Sequence, residues 1–319
     1  MDERIMVPGA ERHGRLSERR LATLALVVLV AVLIGANYSV MQLALRHTTP
    51  LMLTGMRLVL GGLALLAYTR WRGEPLPRDR HTLIGIFAVS LCITTLSSTT
   101  LVTGVSLVPA GVAALLSSMV PVWTAVMAFV FLGERLGPAA VTGVVIGVVG
   151  AVVLSSPALD GDTSLAGVAI LLVSGLGWAA GIVVLRWWRF GDTGPVMITT
   201  VQLVMSSIVV VPLALVVEGP ADTEVGWGLI LPLLYAGIPS LALTFVLMAV
   251  ITREASATQA ASVAYLTPVF GVVFAWIIRD NRLRPAEWIG GALLVLGVVL
   301  VTSIRPRRRS APLGFGHEE

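Results

Sequence analysis

Long apolar runs alternate with short polar breaks along almost the whole chain. Ten runs fall at roughly 21–45, 51–69, 82–105, 109–132, 138–155, 164–187, 195–217, 226–250, 256–278 and 285–304. A membrane-spanning helix needs about 20 mainly apolar residues, so each run predicts one span. The breaks are short, which makes consecutive helices antiparallel neighbours. Residues 82–132 are too long for a single crossing. The sequence Val108-Pro109-Ala110-Gly111 supplies the break, because proline disfavours helix at the residue before it. Residues 1–20 are polar and arginine-rich and read as a mobile tail, as does 305–319, which opens Arg-Pro-Arg-Arg-Arg. Arg19-Arg20 before an apolar run also suits a signal peptide. That run is too long for one and lacks a small-x-small cleavage site, so it reads as an uncleaved first helix.

One pattern occurs twice. MVPVWTAVMAFVFLGERLGP (119–138) aligns with LTPVFGVVFAWIIRDNRLRP (266–285), matching Pro121 with Pro268, Arg135 with Arg282 and Pro138 with Pro285. TPLMLTGMRLVL (49–60) aligns with GPVMITTVQLVM (194–205), matching Pro50 with Pro195 and Arg57 with Gln202. A five-helix unit repeated once inverts, because five crossings end on the opposite side. The expected fold is therefore an all-α integral membrane protein: ten transmembrane helices in two inverted five-helix repeats, 21–155 and 164–304.

Composition agrees with the runs. The 319 residues are 56% hydrophobic and 13% charged, with mean hydropathy +0.90. Soluble domains carry about 25% charged residues; half that leaves too little polar surface to keep a monomer in water. Every Lys/Arg position is arginine, which excludes Schiff-base lysine chemistry and a P-loop lysine. The single cysteine, Cys92, cannot form a disulfide within the chain. His13, His47, His81 and His317 all fall in tails or loops, away from any buried metal site. No cofactor is expected.

The arginines set an orientation. One side collects those of the N-terminal tail, Arg70, Arg72, Arg78, Arg80, Arg135, Arg186, Arg189, Arg253 and the C-terminal tail; the other holds Arg46, Arg279, Arg282 and Arg284. Both termini are then cytoplasmic, in a bacterial plasma membrane. Loop 279–285 is discordant, with three arginines outside. Membrane orientation also accounts for the basic pI, so no nucleic-acid partner is expected.

With Ile-Gly-Ala-Asn (34–37), Pro50 and Arg57, the run 110–150 containing Leu-Gly-Glu-Arg-Leu, the stretch GWAAG (177–181) and ASATQAASVAYLTPVFGVVFAWI (255–277), the chain resembles the EamA-domain members of the drug/metabolite transporter superfamily over 21–304. The resemblance implies ten helices, two inverted repeats and small-molecule transport, often export of amino acids or other metabolites. Two positions depart from the family pattern. Ile34 stands where a tryptophan is common, and Asn281 stands where the second repeat carries a glutamate.

Arg57 is the one formally charged side chain well inside a predicted span. An arginine there costs about 2.5–3.5 kcal/mol on insertion scales and faces protein or a water-filled cavity. Two readings stay open: its planar fork binds an anionic group such as a substrate carboxylate, or it snorkels outward as a structural cation. Gln202 is its counterpart, either as a polar half of the same site or as an interhelical packing group. Pro121 and Pro268, near mid-helix, suggest paired kinks acting as hinges or gates, or kinks that only shape packing. Asn37, Tyr38, Gln42, Thr94, Thr95, Ser97, Ser98, Ser117, Ser118, Trp123, Trp178, Tyr235, Ser240, Gln259 and Tyr265 gather near mid-depth. A few placed polar groups among apolar and aromatic ones suit a small-molecule cavity; the hydroxyls also suit bonds to their own helix carbonyls. Of these, Asn37, Tyr38, Trp123, Trp178, Tyr235 and Tyr265 join Arg57 and Gln202 as expected substrate contacts. Glu134 is a candidate for gating or ion coupling, or a solvated turn residue beside Arg135. Gly143-x-x-x-Gly147 and Gly177-x-x-x-Gly181 let helices approach closely, within the chain or across a homodimer.

No Walker motif, His-Glu-x-x-His or Gly-x-Ser-x-Gly occurs, so neither an ATP-driven pump nor these hydrolase types is encoded here. No carboxylate lies in a predicted helix interior, which argues against an intramembrane proton relay. The leading reading is a secondary transporter, an exporter of a small metabolite or amino acid by alternating access, working as a monomer or homodimer. A drug or cation exporter of the same fold and a non-transporting sensor or scaffold are the alternatives.

Overall fold

The structure, a computed structural model, describes residues 8–158, 163–254 and 257–303. The segments 1–7 and 304–319 of the two expected tails lie outside the described residues. The first helix runs back to Pro8 and takes in residues 8–20 of the expected N-terminal tail. Proline is pre-organised for a first helical position, and the Glu, Arg and Leu after it are good helix formers.

Ten helices build the bundle: α1 (Pro8–Ala44), α2 (Pro50–Trp71), α3 (Arg80–Leu107), α4 (Ala110–Leu132), α5 (Pro138–Leu154), α6 (Leu165–Trp187), α7 (Pro195–Val217), α8 (Trp227–Gly237, continued through Ile238–Leu243 and Thr244–Glu254), α9 (Ala257–Arg279) and α10 (Pro285–Ser303). Among the described residues nine are long and apolar enough to cross a membrane. The tenth, α5, has 17 apolar-rich residues, about 26 Å at 1.5 Å per residue. The protein is an all-α, multi-pass membrane protein. The break at Pro109 lies between α3 and α4, as the proline predicts.

Helix ends are closed locally. Pro50, Pro138, Pro195 and Pro285 each open a helix, where their missing N–H is no loss. The Asp79 carboxylate accepts from the Thr82 amide at 2.8 Å; this bond holds its carboxyl below the usual carboxylate range. Glu287, buried, accepts from the Arg284 amide at 2.6 Å. Glu218 reaches across from the end of α7 and accepts from the Leu51 and Met52 amides at 2.9 and 3.1 Å, where a helix N-terminus favours an anion.

The loops divide between two faces. On one, His47 meets Glu224 at 3.5 Å and Thr48 meets Thr223 at 2.9 Å, so the α1–α2 and α7–α8 loops are joined. On the other, Glu134 after α4 meets Arg186 near the end of α6 at 3.4 Å, and the Trp188 indole donates to the His81 carbonyl at 3.2 Å.

The helix pairs obey one rule. α2 packs on α7, α5 on α10 and α4 on α9; α1 packs on α8 and α9, while α6 packs on α3 and α4. Exchanging each helix with the one five places along leaves this set unchanged. Glycines set the closest crossings. A Cβ on Gly143 would meet the Gly297 carbonyl at 2.8 Å, and one on Gly150 would meet the Gly290 carbonyl at 2.8 Å, so α5 and α10 touch backbone to backbone. At Gly35 a Cβ would come within 2.8 Å of the Gly271 amide, fixing the α1–α9 crossing. Gly177 and Gly181 face Cys92, Ile93 and Leu96 of α3. Both small-residue motifs are therefore occupied within this chain.

Two helices lose regular winding at matched places. Ser90–Ser97 of α3 and Ile238–Leu243 of α8 are π-helical, with hydrogen bonds that reach five residues back. In α8, Pro239 lacks an N–H to donate, and the Thr244 hydroxyl donates to the Pro239 carbonyl five residues back at 3.1 Å. In α3 no proline is present, and the Ser90 and Thr94 hydroxyls instead engage Ser206 of α7.

These contacts predict two outcomes for stability in detergent, read as thermal unfolding by size-exclusion recovery. Gly150→Leu is expected to lower the midpoint clearly, since overpacking costs about 1–3 kcal/mol, while Gly137→Ala, whose Cβ meets nothing within 4 Å, leaves it unchanged; equal midpoints refute the backbone contact. Gln42 donates to the Val105 and Val108 carbonyls at 3.1 and 2.7 Å. Gln42→Leu strands these acceptors, a loss of about 1–3 kcal/mol, and a wild-type midpoint refutes that role.

Candidate functional site

The Gly35 crossing presses α1 against α9 and buries the next turns of α1. There Asn37, Tyr38 and Met41 are all buried. The Met41 sulfur receives two donors: Asn37 Nδ2 at 3.6 Å and Arg57 Nη1 at 2.9 Å. Arg57 therefore points from α2 into the bundle, with 4% of its surface exposed. It interacts electrostatically with Tyr38. A guanidinium has five N–H donors and no acceptor, and a thioether is a weak partner for one of them. Arg57 Nε has no hydrogen-bond partner among the described residues, and neither has Asn37 Oδ1, on the residue that shares Met41 with it. No carboxylate pairs with Arg57 among the described residues. A cationic donor and a neutral acceptor thus stand together, buried and unsatisfied.

Gln202 is equally buried at 3%, with Nε2 unpartnered. It does not share Arg57's position. Gly55 faces Val211 and Gly62 faces Val204, so α2 and α7 run antiparallel and Gln202 is level with residue 64. Seven residues separate that level from Arg57, about 10 Å along the helix. The two aligned residues lie on opposite sides of the α2–α7 crossing. Around Gln202 the groups are hydroxyls. Its carbonyl accepts from Ser90 at 3.1 Å. Ser206 bonds Ser90 at 2.8 Å, Thr95 at 3.0 Å and also Thr94. Ser174 donates to the Ser97 carbonyl at 2.8 Å. This cluster joins α3, α6 and α7.

The aromatic candidates divide. Trp123 lies edge-on to Gly175, with its Nε1 unpartnered among the described residues, and Ser117 of α4 faces the Tyr38 hydroxyl. Trp178 stacks on Phe245, centroids 6.4 Å apart and planes at 12°. The Tyr235 hydroxyl donates to the Leu33 carbonyl at 3.0 Å, and the Tyr265 hydroxyl bonds Thr302 of α10. These last two hydroxyls tie helices together. The side chain of Gln259 lies outside the described residues.

The matched prolines do not make matched kinks. α4 is broken after Ser117 and restarts at Val120, so Pro121 sits in the first turn of the second piece. Pro268 lies inside the unbroken α9. A first-turn proline has no helix bond to lose, whereas an interior one does. Glu134 comes directly after Gly133, whose φ of +65° closes α4, and pairs with Arg186 at the surface. Exposed pairs of this kind contribute about 0.2–1 kcal/mol.

A cavity of about 310 Å³ opens between α2, α7 and α8, lined by Met52, Gly55, Met56, Val59, Val211 and Leu233 among others. At 100° per residue these α2 positions point away from Arg57, so this apolar groove is not the Arg57 site. Among the described residues no group of three or more His, Cys, Asp or Glu is placed to hold a metal.

Comparison with known proteins adds an independent line. A WAT1-related chloroplastic protein of Arabidopsis thaliana is 24% identical over 277 residues, 84% of this chain, which spans 66% of that protein's length. A "probable amino-acid metabolite efflux pump" of Escherichia coli strain K12 is 23% identical over 293 residues, 86% of this chain and 93% of that protein. A solved crystal structure superposes with a TM-score of 0.63 at 19% identity, covering 88% of this chain and 97% of that one, which shows a shared fold. Residues 21–156 and 165–303 each match one family. On those two matches, which take in nearly every described helix, the chain belongs to the EamA-like transporter family.

Proposed function

We propose that the chain is a secondary exporter that carries an amino acid or similar small metabolite through a site at Arg57 and Asn37. The chain is not an enzyme; it is a member of a transporter family. One observation carries the reading: a buried guanidinium and a buried amide share a single thioether, and each keeps a polar atom, Arg57 Nε and Asn37 Oδ1, without a partner among the described residues. Leaving such groups unmade costs about 1–3 kcal/mol each, more for a charged one. A solute with a carboxylate and an amino group satisfies both, with the carboxylate on the planar fork of Arg57 and the amine on Asn37 Oδ1. Ser117, which faces the Tyr38 hydroxyl beside Arg57, belongs to the same proposed path, and we add Trp123 to it. The relative named as an amino-acid metabolite efflux pump supports the substrate class and the outward direction. A cationic drug is disfavoured, because Arg57 repels it.

Alternating access rests on the two halves. We take 21–155 and 164–304 as inverted repeats, a reading supported by the helix pairings that survive a shift of five. The repeats then rock about the α2–α7 crossing, with the two π-helical segments as the compliant places where α3 and α8 meet that pair. The arginine bias supports cytoplasmic termini in a bacterial plasma membrane. The Glu134–Arg186 pair, past the end of α4, belongs to the cytoplasmic end of the path, and the break at Ser118-Met119 lies nearer the opposite face.

The expected result in proteoliposomes loaded with a labelled amino-acid pool is efflux by the wild type. Arg57→Gln, folded by size exclusion, is expected to lose about ten- to hundredfold of it, equivalent to about 1.5–3 kcal/mol for a hydrogen bond to a charged group. Arg57→Lys should not restore it, since an ammonium lacks the fork. Efflux at the wild-type rate in Arg57→Gln makes the arginine structural and removes the site.

A further inference from the structure

The arginines on the wrong side of the membrane converge on the same helix as Arg57. Arg279, at the end of α9, donates from Nε to Gln42 Oε1 at 3.2 Å. Gln42 is the residue after Met41, the acceptor for Arg57. The Gln42 amide is itself anchored by donating to the Val105 and Val108 carbonyls, so its oxygen is held toward Arg279. Arg46 stands one helical turn beyond Gln42, is exposed, and lies within electrostatic reach of Arg279. Three arginines, from the α1–α2 loop, α2 and α9, are thus ranged along the end of α1 and the loop after it. They run from the surface (Arg46) through a half-buried position (Arg279) to a buried one (Arg57).

None of the three has an acidic partner among the described residues. Four described acids at this face are engaged elsewhere, and Asp222, exposed in the α7–α8 loop, forms no ion pair with any of the three. Glu218 caps α2, Glu224 faces His47, Asp280 faces Arg282 at 3.6 Å, and Glu287 caps α10. Like charges kept together without a counterion destabilise the protein unless a ligand brings the counter-charge, and excess arginine opposes the ordinary bias of outer loops. A local field of one sign in a cleft raises the concentration of the opposite charge there.

We infer that Arg279, positioned by Gln42, and Arg46 form an anion-binding vestibule that exchanges solute with Arg57. This inference rests on the transport reading and narrows its cargo to solutes of net negative charge, such as a dicarboxylic amino acid or an organic acid. One carboxylate engages Arg57 while a second engages Arg279 and Arg46. The deeper arginine supplies the geometry, and the outer pair selects charge.

The test is ligand-induced thermal stabilisation of the full chain in detergent, with L-glutamate, succinate and L-lysine as probes. L-Glutamate and succinate are expected to raise the midpoint of the wild type, with a response that weakens as salt rises. The Arg46→Gln/Arg279→Gln variant should need at least tenfold more of either, and Arg135→Gln on the opposite face should behave as wild type. Arg46 is exposed, so Arg46→Glu keeps the test open if the double variant does not fold, and it too should lose at least tenfold. No response to either anion, an equal response to L-lysine, or a response indifferent to Arg46 and Arg279 overturns the vestibule. Amino-acid efflux that persists beside that last outcome leaves the transport reading standing. An arginine-dependent anion response without efflux of any solute sinks the transport reading instead.

Discussion

A hydrocarbon environment offers no water to a polar group, and every backbone N–H and C=O within it needs a partner inside the protein. That constraint makes all the spanning segments helices, and it makes each departure from helix informative. The departures here are few. α3 and α8 each carry a π-helical stretch, and α4 breaks between Ser117 and Val120. In each case a side chain takes over: Ser206 for α3, Thr244 for α8, and Ser118, which donates to the Leu115 carbonyl at 2.6 Å, for α4. The loop between α3 and α4 is handled the same way by Gln42. Irregular backbone at membrane depth is tolerated where it is buried in protein or lines a cavity, and these pieces surround α1 and α2.

The same constraint gives Arg57 its meaning. Regular helices have satisfied their own backbone, so a side chain left with free donors stands out. Glycine crossings reinforce this. Gly35 and Gly271 bring α1 and α9 together, and Gly143, Gly150, Gly290 and Gly297 lock α5 to α10. Interfaces this close transmit motion as rigid bodies rather than by soft deformation. Of the π-helical segments beside the α2–α7 pair, the one in α8 meets α2 through apolar groups and backbone alone.

Part of this was legible in the sequence. The ten apolar runs, the Pro109 break and the isolated charge of Arg57 are local signals, each readable from a residue and its neighbours. The role of Met41 was not, because a methionine in an apolar run looks the same whether it faces lipid or accepts from a guanidinium. The π-helical stretch of α3 depends on Ser206, more than a hundred residues away, and Ser90 and Thr94 look like ordinary helix hydroxyls without it. The matched prolines show the limit most clearly. Pro121 and Pro268 share an alignment and a residue type, yet one starts a helix piece and the other sits inside α9. Packing decides between them, and α9 is pinned beside its proline by the Tyr265–Thr302 bond. That bond also takes up a hydroxyl that the sequence had offered to a substrate.

Where the two halves differ is as informative as where they match. Arg57 has Gln202 as its counterpart, so the positive charge exists on only one side of the α2–α7 crossing. The hydroxyl at Ser206 is opposite a glycine, Gly61, in the aligned position. α3 is therefore held to α7 by hydrogen bonds, whereas α8 meets α2 through Leu241 and the Gly237 backbone. Apolar contacts are non-directional and slide; hydroxyl bonds have a preferred geometry and resist sliding. The α3–α7 contact is therefore the more rigid of the two and the α8–α2 contact the softer. The asymmetry between the two contacts comes down to one hydroxyl: Ser206 on the α3 side, with Gly61 at the aligned position on the α8 side.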